Sequence, residues 1–145
     1  MRRSKAPLVL MEQLVMLAVF ALTAALCLQA FVKADTLSRQ HAAQDRAAVK
    51  AQSAAEVVQA CGGDMEQAAK RLGAIQFDVD FLMIDYDADW ALAQDHMRYT
   101  LGVNRQESGL PGLGRGRVWI RDEVTGDTVA SLDFSWQEEV DGDGA

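Results

Sequence analysis

Few residues in this chain combine the types and spacing that chemistry needs. Asp85, Asp87 and Asp89 alternate in DYDADW, like the first carboxylates of a calcium-binding loop. That loop also takes glycine at its sixth place and glutamate at its twelfth, where this chain has Trp90 and His96. The triplet therefore reads as a solvated acidic turn, with calcium as the alternative. His41 and His96 are the two histidines, and no CxxC or HxxxH pattern accompanies them, so no zinc site is expected. Ser131 and Ser135 flank Asp133 without a histidine to form a nucleophile triad. Gly112, Gly114 and Gly116 do not stand between a strand and a helix, as phosphate-loop glycines must. Cys27 and Cys61 are 34 residues apart. Along one helix that is roughly 50 Å, far beyond the Cα separation of about 7 Å that a disulfide tolerates. Both read as small apolar packing residues. No catalytic residue, cofactor, metal or small-molecule substrate is expected.

Glu12 is the residue that needs an explanation. It sits in LVLMEQLVMLAVFALTAALCLQAFV, Leu8 to Val32. A carboxylate in an apolar membrane helix costs a few kcal/mol unless it is paired, protonated or near the interface. Two readings follow. Glu12 snorkels to the headgroups from one turn inside the membrane, or it pairs with an amine of a neighbouring subunit.

The elements that position Glu12 are clear from composition. At about 1.5 Å per residue the apolar run of residues 8–32 forms roughly 37 Å of helix, enough to cross a hydrocarbon core of about 30 Å. Arg2, Arg3 and Lys5 precede it, which predicts a cytoplasmic N-terminus over residues 1–7 and a body outside. Residues 1–34 carry four Lys/Arg against one Glu, whereas the rest carries ten against twenty Asp/Glu. This acidic body argues against nucleic acid. The competing reading is a signal peptide cleaved near the small residues Ala30 and Ala34, but the apolar run is long for one.

The helix is predicted to continue through residues 33–61, which lack Gly and Pro. Ala43, Ala47, Ala51, Ala54, Val58 and Cys61 recur at three- and four-residue steps as a narrow apolar stripe. Gly62-Gly63 stops the helix. Asp64 and Gln67 form a capping box for a short helix from Met65 to Leu72, ended by Gly73. The period then changes to two. Ile75, Phe77, Val79, Phe81 and Met83 predict the buried face of a first strand, and Met97, Tyr99, Leu101 and Val103 that of a second. A Gly/Pro loop over 104–116 precedes a third strand centred on Val118-Trp119-Ile120. The TGD at Thr125–Asp127 is a turn. Ala130, Leu132, Phe134 and Trp136 form the buried face of a fourth strand, Thr128 to Gln137, and residues 138–145 are a frayed tail. The expected fold is α+β: a long transmembrane and amphipathic helix, a short second helix, and a four-stranded antiparallel sheet on the helix's outer half, with the domain at 62–137.

Basic residues, an apolar helix with an early glutamate, an amphipathic extension and a small antiparallel sheet resemble type IV pilins and type II secretion pseudopilins. Leu8-Val9-Leu10-Met11-Glu12-Gln13-Leu14-Val15 is similar to the start of their mature helix. The resemblance implies that Leu8 matches the first mature residue, and that Glu12 matches the glutamate that neutralises the N-terminal amine of an adjacent subunit. It implies a structural or accessory, non-enzymatic component of a pilus-like or secretion assembly, with the bilayer, like subunits or a platform protein as partners. The family's peptidase takes glycine before its cut, and this chain has Pro7 there, so an uncut N-terminus is expected. The alternative is a stand-alone anchored or released binding domain outside the cell.

The charge split and the apolar run predict that the chain fractionates with membranes. Protease added outside spheroplasts is expected to remove everything beyond about Val32. Recovery of the intact chain in the soluble fraction would refute this.

Overall fold

The structure, a computed structural model, describes residues 6–138. Arg2, Arg3, Lys5 and the acidic tail after Glu138 lie outside the described residues. Helix α1 spans Ala6–Ala60. Pro7 falls in its first turn, where the missing N–H has no intrahelical partner to lose. The hydroxyl of Thr23 donates to the carbonyls of Val19 and Phe20, both at 2.9 Å. The polar group in the apolar run is thus satisfied within the helix.

The chain divides into two compact units, Met1–His41 and Ala42–Ala145, and the boundary falls inside α1. In the first unit, α1 is long and apolar enough to cross a membrane, and none of its most apolar window is buried by protein. Large side chains from Leu8 to Val32 stand in the open, Leu8, Phe20 and Phe31 all more than 70% exposed. A contiguous apolar surface of this extent calls for lipid or a partner.

In the second unit, residues 42–60 of α1 contribute the predicted stripe. Ala47, Ala51, Ala54 and Val58 are buried, joined by Ala55, while Ala43 and Cys61 are half-buried. Helix α2 spans Met65–Leu72. Its first-turn amide at Gln67 donates to Asp64 Oδ1 at 3.0 Å, and the Gln67 side chain donates to Asp64 Oδ2 at 3.1 Å. The box therefore closes side chain to side chain. Gly73, at φ 73°, takes the left-handed conformation that ends the helix. Glu66 and Lys70, one turn apart, form an ion pair at 2.8 Å, and this hydrogen bond raises the Lys70 amine above its ordinary pKa.

The sheet has five strands, where the sequence predicts four. They are β1 (Gln76–Phe77), β2 (Phe81–Tyr86), β3 (Tyr99–Gln106), β4 (Leu113–Asp122) and β5 (Thr128–Gln137), paired antiparallel in that order as a meander. The expected first strand is in fact a hairpin. Asp78 N–H donates to the Phe81 carbonyl at 2.8 Å, and Asp78 Oδ1 accepts the Val79 N–H at 2.8 Å. Aspartate caps such turns readily, so Asp78 and Asp80 belong to a turn instead of the polar face of a strand. The turn also changes which residues face inward. Leu82 and Ile84 are fully buried, Phe81 and Met83 are half-buried on the opposite face, and Ile75, Phe77 and Val79 are exposed.

The predicted loop over 104–116 shrinks at both ends, because β3 runs to Gln106 and β4 starts at Leu113. Gly114 and Gly116 are strand residues. A Cβ on Gly114 would come within 2.1 Å of the Trp136 indole, and one on Gly116 within 2.8 Å of the Phe134 ring. These glycines leave room for the aromatics of β5 across the ladder. On that strand Trp136 is buried, Ala130 and Phe134 are partly buried, and Leu132 is exposed. One core holds the helical alanines together with Leu82, Ile84, Leu101, Val103, Val118, Ile120 and Trp136.

Leu101→Ala, in the central strand, is expected to cost about 2–5 kcal/mol of unfolding free energy. Gly114→Ala adds a methyl where the indole already sits, and is expected to cost about 1–3 kcal/mol. Denaturant melts read by tryptophan emission measure both. A Gly114→Ala chain as stable as the wild type would mean that the indole does not pack there.

Candidate functional site

Glu12 lies in the second turn of α1, on an exposed surface among Val9, Met11 and Met16, all themselves exposed. The next charged residue along the helix is Lys33, so Glu12 is the sole charge in the helix between Leu8 and Val32.

The three acidic residues at 85, 87 and 89 do not converge. Asp85 lies in β2, only 8% exposed, and accepts the Thr100 hydroxyl at 2.9 Å. Asp87 Oδ1 accepts the N–H groups of Asp89 and Ala91 at 2.9 and 3.0 Å, which closes a turn. Asp89 points to solvent. Among the described residues no three His, Cys, Asp or Glu side chains are grouped to hold a metal ion. Cys27 is exposed, Cys61 is half-buried, and both are free thiols. His41 is exposed, and His96 is exposed at φ 59° in the loop before β3.

That loop holds a feature the sequence reading missed. Trp90 adopts φ 64°, an uncommon conformation for a bulky residue. Its ring stacks on Tyr99 at 4.2 Å and 10°, with Tyr86 tilted 6.1 Å away. Burial raises the Tyr86 phenol above its ordinary pKa. Lys50 of α1 reaches over the Tyr86 ring at 4.8 Å. These aromatics pin the acidic turn to the core. The signal lay in DYDADW, where an aromatic follows the alternating acids.

The solvent face of the sheet carries a second feature. Arg115, Arg117, Trp119 and Arg121 alternate along β4 with the buried Gly116, Val118 and Ile120. Trp119, at the strand's centre between the buried Val118 and Ile120, faces outward. Alternation allows only every second residue of a strand into the core. Its indole lies over Gly102 of β3, where a Cβ would come within 2.2 Å, and its Nε1 donates to Asn104 Oδ1 at 2.7 Å. Arg121 stands over the same ring at 5.2 Å. Arg117 and Asp133 form a two-pronged pair at 2.6 and 3.1 Å, so Asp133 is committed to arginine and not to either serine.

A third feature is an open groove of about 370 Å³ beside the start of α2, lined by Asp64, Glu66, Phe77, Val79 and Arg105 among others. Arg105 also pairs with Glu138 and stands 5.5 Å from the centre of the Trp136 ring. The first residue of the expected tail is therefore tied down. The groove's rim mixes both signs of charge and converges on no reactive group.

Compared with known proteins, the chain matches no family model, no curated protein and no solved structure.

The Arg117 hydrogen bond holds Asp133 below its ordinary value of 3.8. A carboxyl with a lowered folded-state pKa stabilises the fold above its unfolded pKa, and that stabilisation is lost as pH falls through the folded value. Asp133→Asn is therefore expected to be less stable than wild type at neutral pH and to converge with it well below pH 3.8. Parallel denaturant melts across that range check the convergence.

Proposed function

We propose that this chain is a single-pass, membrane-anchored, pseudopilin-like component of a pilus-type or secretion-type assembly, structural or accessory and not enzymatic. Its N-terminus lies in the cytoplasm and its α+β domain outside. The observation that carries this reading is Glu12 inside an apolar helix whose later residues, 42–60, form one wall of the core of an antiparallel-sheet domain. A plain anchor needs no carboxylate at that depth and no helical continuity into the domain. Glu12 meets a cation on a like subunit or on a platform protein, and the bilayer covers the apolar surface from Leu8 to Val32. Pro7, where the resembled family has glycine, favours a chain that keeps its first residues.

Glu12→Leu separates assembly from simple anchoring. Insertion is expected to survive, since the change removes an insertion cost of a few kcal/mol, while cross-links to neighbouring subunits disappear. Intact mass is expected to give the uncut chain. Cross-links that persist in the Glu12→Leu protein would leave a stand-alone anchored binding domain as the better description.

A further inference from the structure

We propose that the solvent face of β4 docks the acidic turn of a second copy of this chain, with Arg115 and Arg121 receiving Asp89 and Asp95. This rests on the assembly reading above and names one contact within it.

The face has the composition of a protein interface. The register aligns Met83, Gly102, Trp119 and Ser131 in one row, and Phe81, Asn104, Arg117 and Asp133 in the next. Paired residues of an antiparallel ladder share a face, so Phe81, Met83 and Trp119 form a half-buried apolar island among three exposed arginines. Aromatics, Met and Arg are the residues enriched in the centres of protein interfaces. The island is also built to stay flat. Gly102 seats the indole, Asn104 holds its N–H, and Arg121 covers its ring.

The charges on this face are unequally engaged. Asp133 is occupied by Arg117, and the nearly buried Asp85 by Thr100. Among the described residues Arg115 and Arg121 take part in no ion pair. Two guanidinium groups therefore flank the island with their donors available for carboxylates.

The same chain carries the complement. Residues 72–97 hold six aspartates and no Lys or Arg, whereas 115–121 hold three arginines and no acid. Asp89 and Asp95 are exposed, on a loop fixed by the Trp90–Tyr99 stack. A loop already held in one conformation loses little entropy on docking. Nucleic acid is disfavoured as occupant because a chain of net −7 repels phosphate. A second copy is equally acidic, but screening over about 8 Å at physiological salt lets opposed patches act locally, and anchoring in one membrane confines the copies to a plane. The two patches differ, so the contact is heterologous and repeats from copy to copy.

The test uses the full-length chain in its own membrane, with Cys27 and Cys61 replaced by alanine. One tagged copy carries Ser131→Cys beside Trp119, and a second, differently tagged copy carries Ala88→Cys in the turn. Oxidation is expected to join the two tags. Arg115→Glu with Arg121→Glu in the first copy is expected to lower the yield about tenfold, since like charges then face each other. Asp89→Arg with Asp95→Arg in the second copy is expected to restore it. A yield indifferent to the first reversal, or not restored by the second, overturns the proposal. So does retention of a labelled single-stranded oligonucleotide by the unreversed chain that is lost on Arg115→Glu/Arg121→Glu, which would assign the face to nucleic acid. Failure of the assembly reading is distinguishable, because it appears as Glu12-independent cross-links whatever the charge reversals do.

Discussion

The sheet lies against a helical surface made almost wholly of alanine, and the rest of the domain depends on that contact. Ala47, Ala51, Ala54 and Ala55 contribute backbone and little else, so the bulk of the core has to come from the strands. Leu82, Ile84, Leu101, Val103, Val118 and Ile120 supply it from the three central strands, each fully buried. Small residues facing large ones fill space without forcing strained rotamers. Alanine is also the best helix former. The stripe that makes room for the sheet therefore keeps the helix intact through the domain.

The same constraint decides what happens at the sheet's edges. Toward β5 the strand's own aromatics take over, and Trp136 fits between Gly63 after α1 and Gly114 on β4. The indole is buried there with its Nε1 unpartnered among the described residues, a cost of about 1–3 kcal/mol that close packing of a large ring offsets. Toward β1 the sheet thins to two paired residues. The apolar side chains Ile75, Phe77 and Val79 remain largely outside the core.

The helices were legible because their signals are local and redundant. A long run without Gly or Pro, a three-to-four-residue alanine step and an Asp–Gln cap all point to the same elements. The boundaries of β5 were legible for a similar reason, since Ser and Asp alternate with apolar residues from Thr128 onward. The first strand was misread because alternation persists through a tight turn. In QFDVDF the aspartates fit a polar face as well as a bend, and only the pairing of Phe77 with Leu82 shows that the chain has reversed. The glycines at 114 and 116 carried the opposite ambiguity, since their role is to accommodate the side chains of Trp136 and Phe134 on the next strand. In the apolar triplet at the centre of β4, alternation gives the inward positions to Val118 and Ile120 and leaves Trp119 on the outer face. For Glu12 the sequence was informative about its place in the apolar run of the first helix, which the structure keeps unbroken.

Every strand of the meander pairs with its neighbour in sequence. Such wiring keeps contacts local and favours rapid, stepwise growth of a sheet. Trp136 closes one of the longest loops in the domain, because it sits at the far end of β5 and packs against Gly63, in the turn that follows the first helix. Gln59 makes the same long-range closure, its side-chain amide donating to the Ser135 carbonyl at 2.8 Å. A nascent chain can lay down four strands against the alanine surface, but its hydrophobic interior stays open on one side until residue 136 arrives to close it.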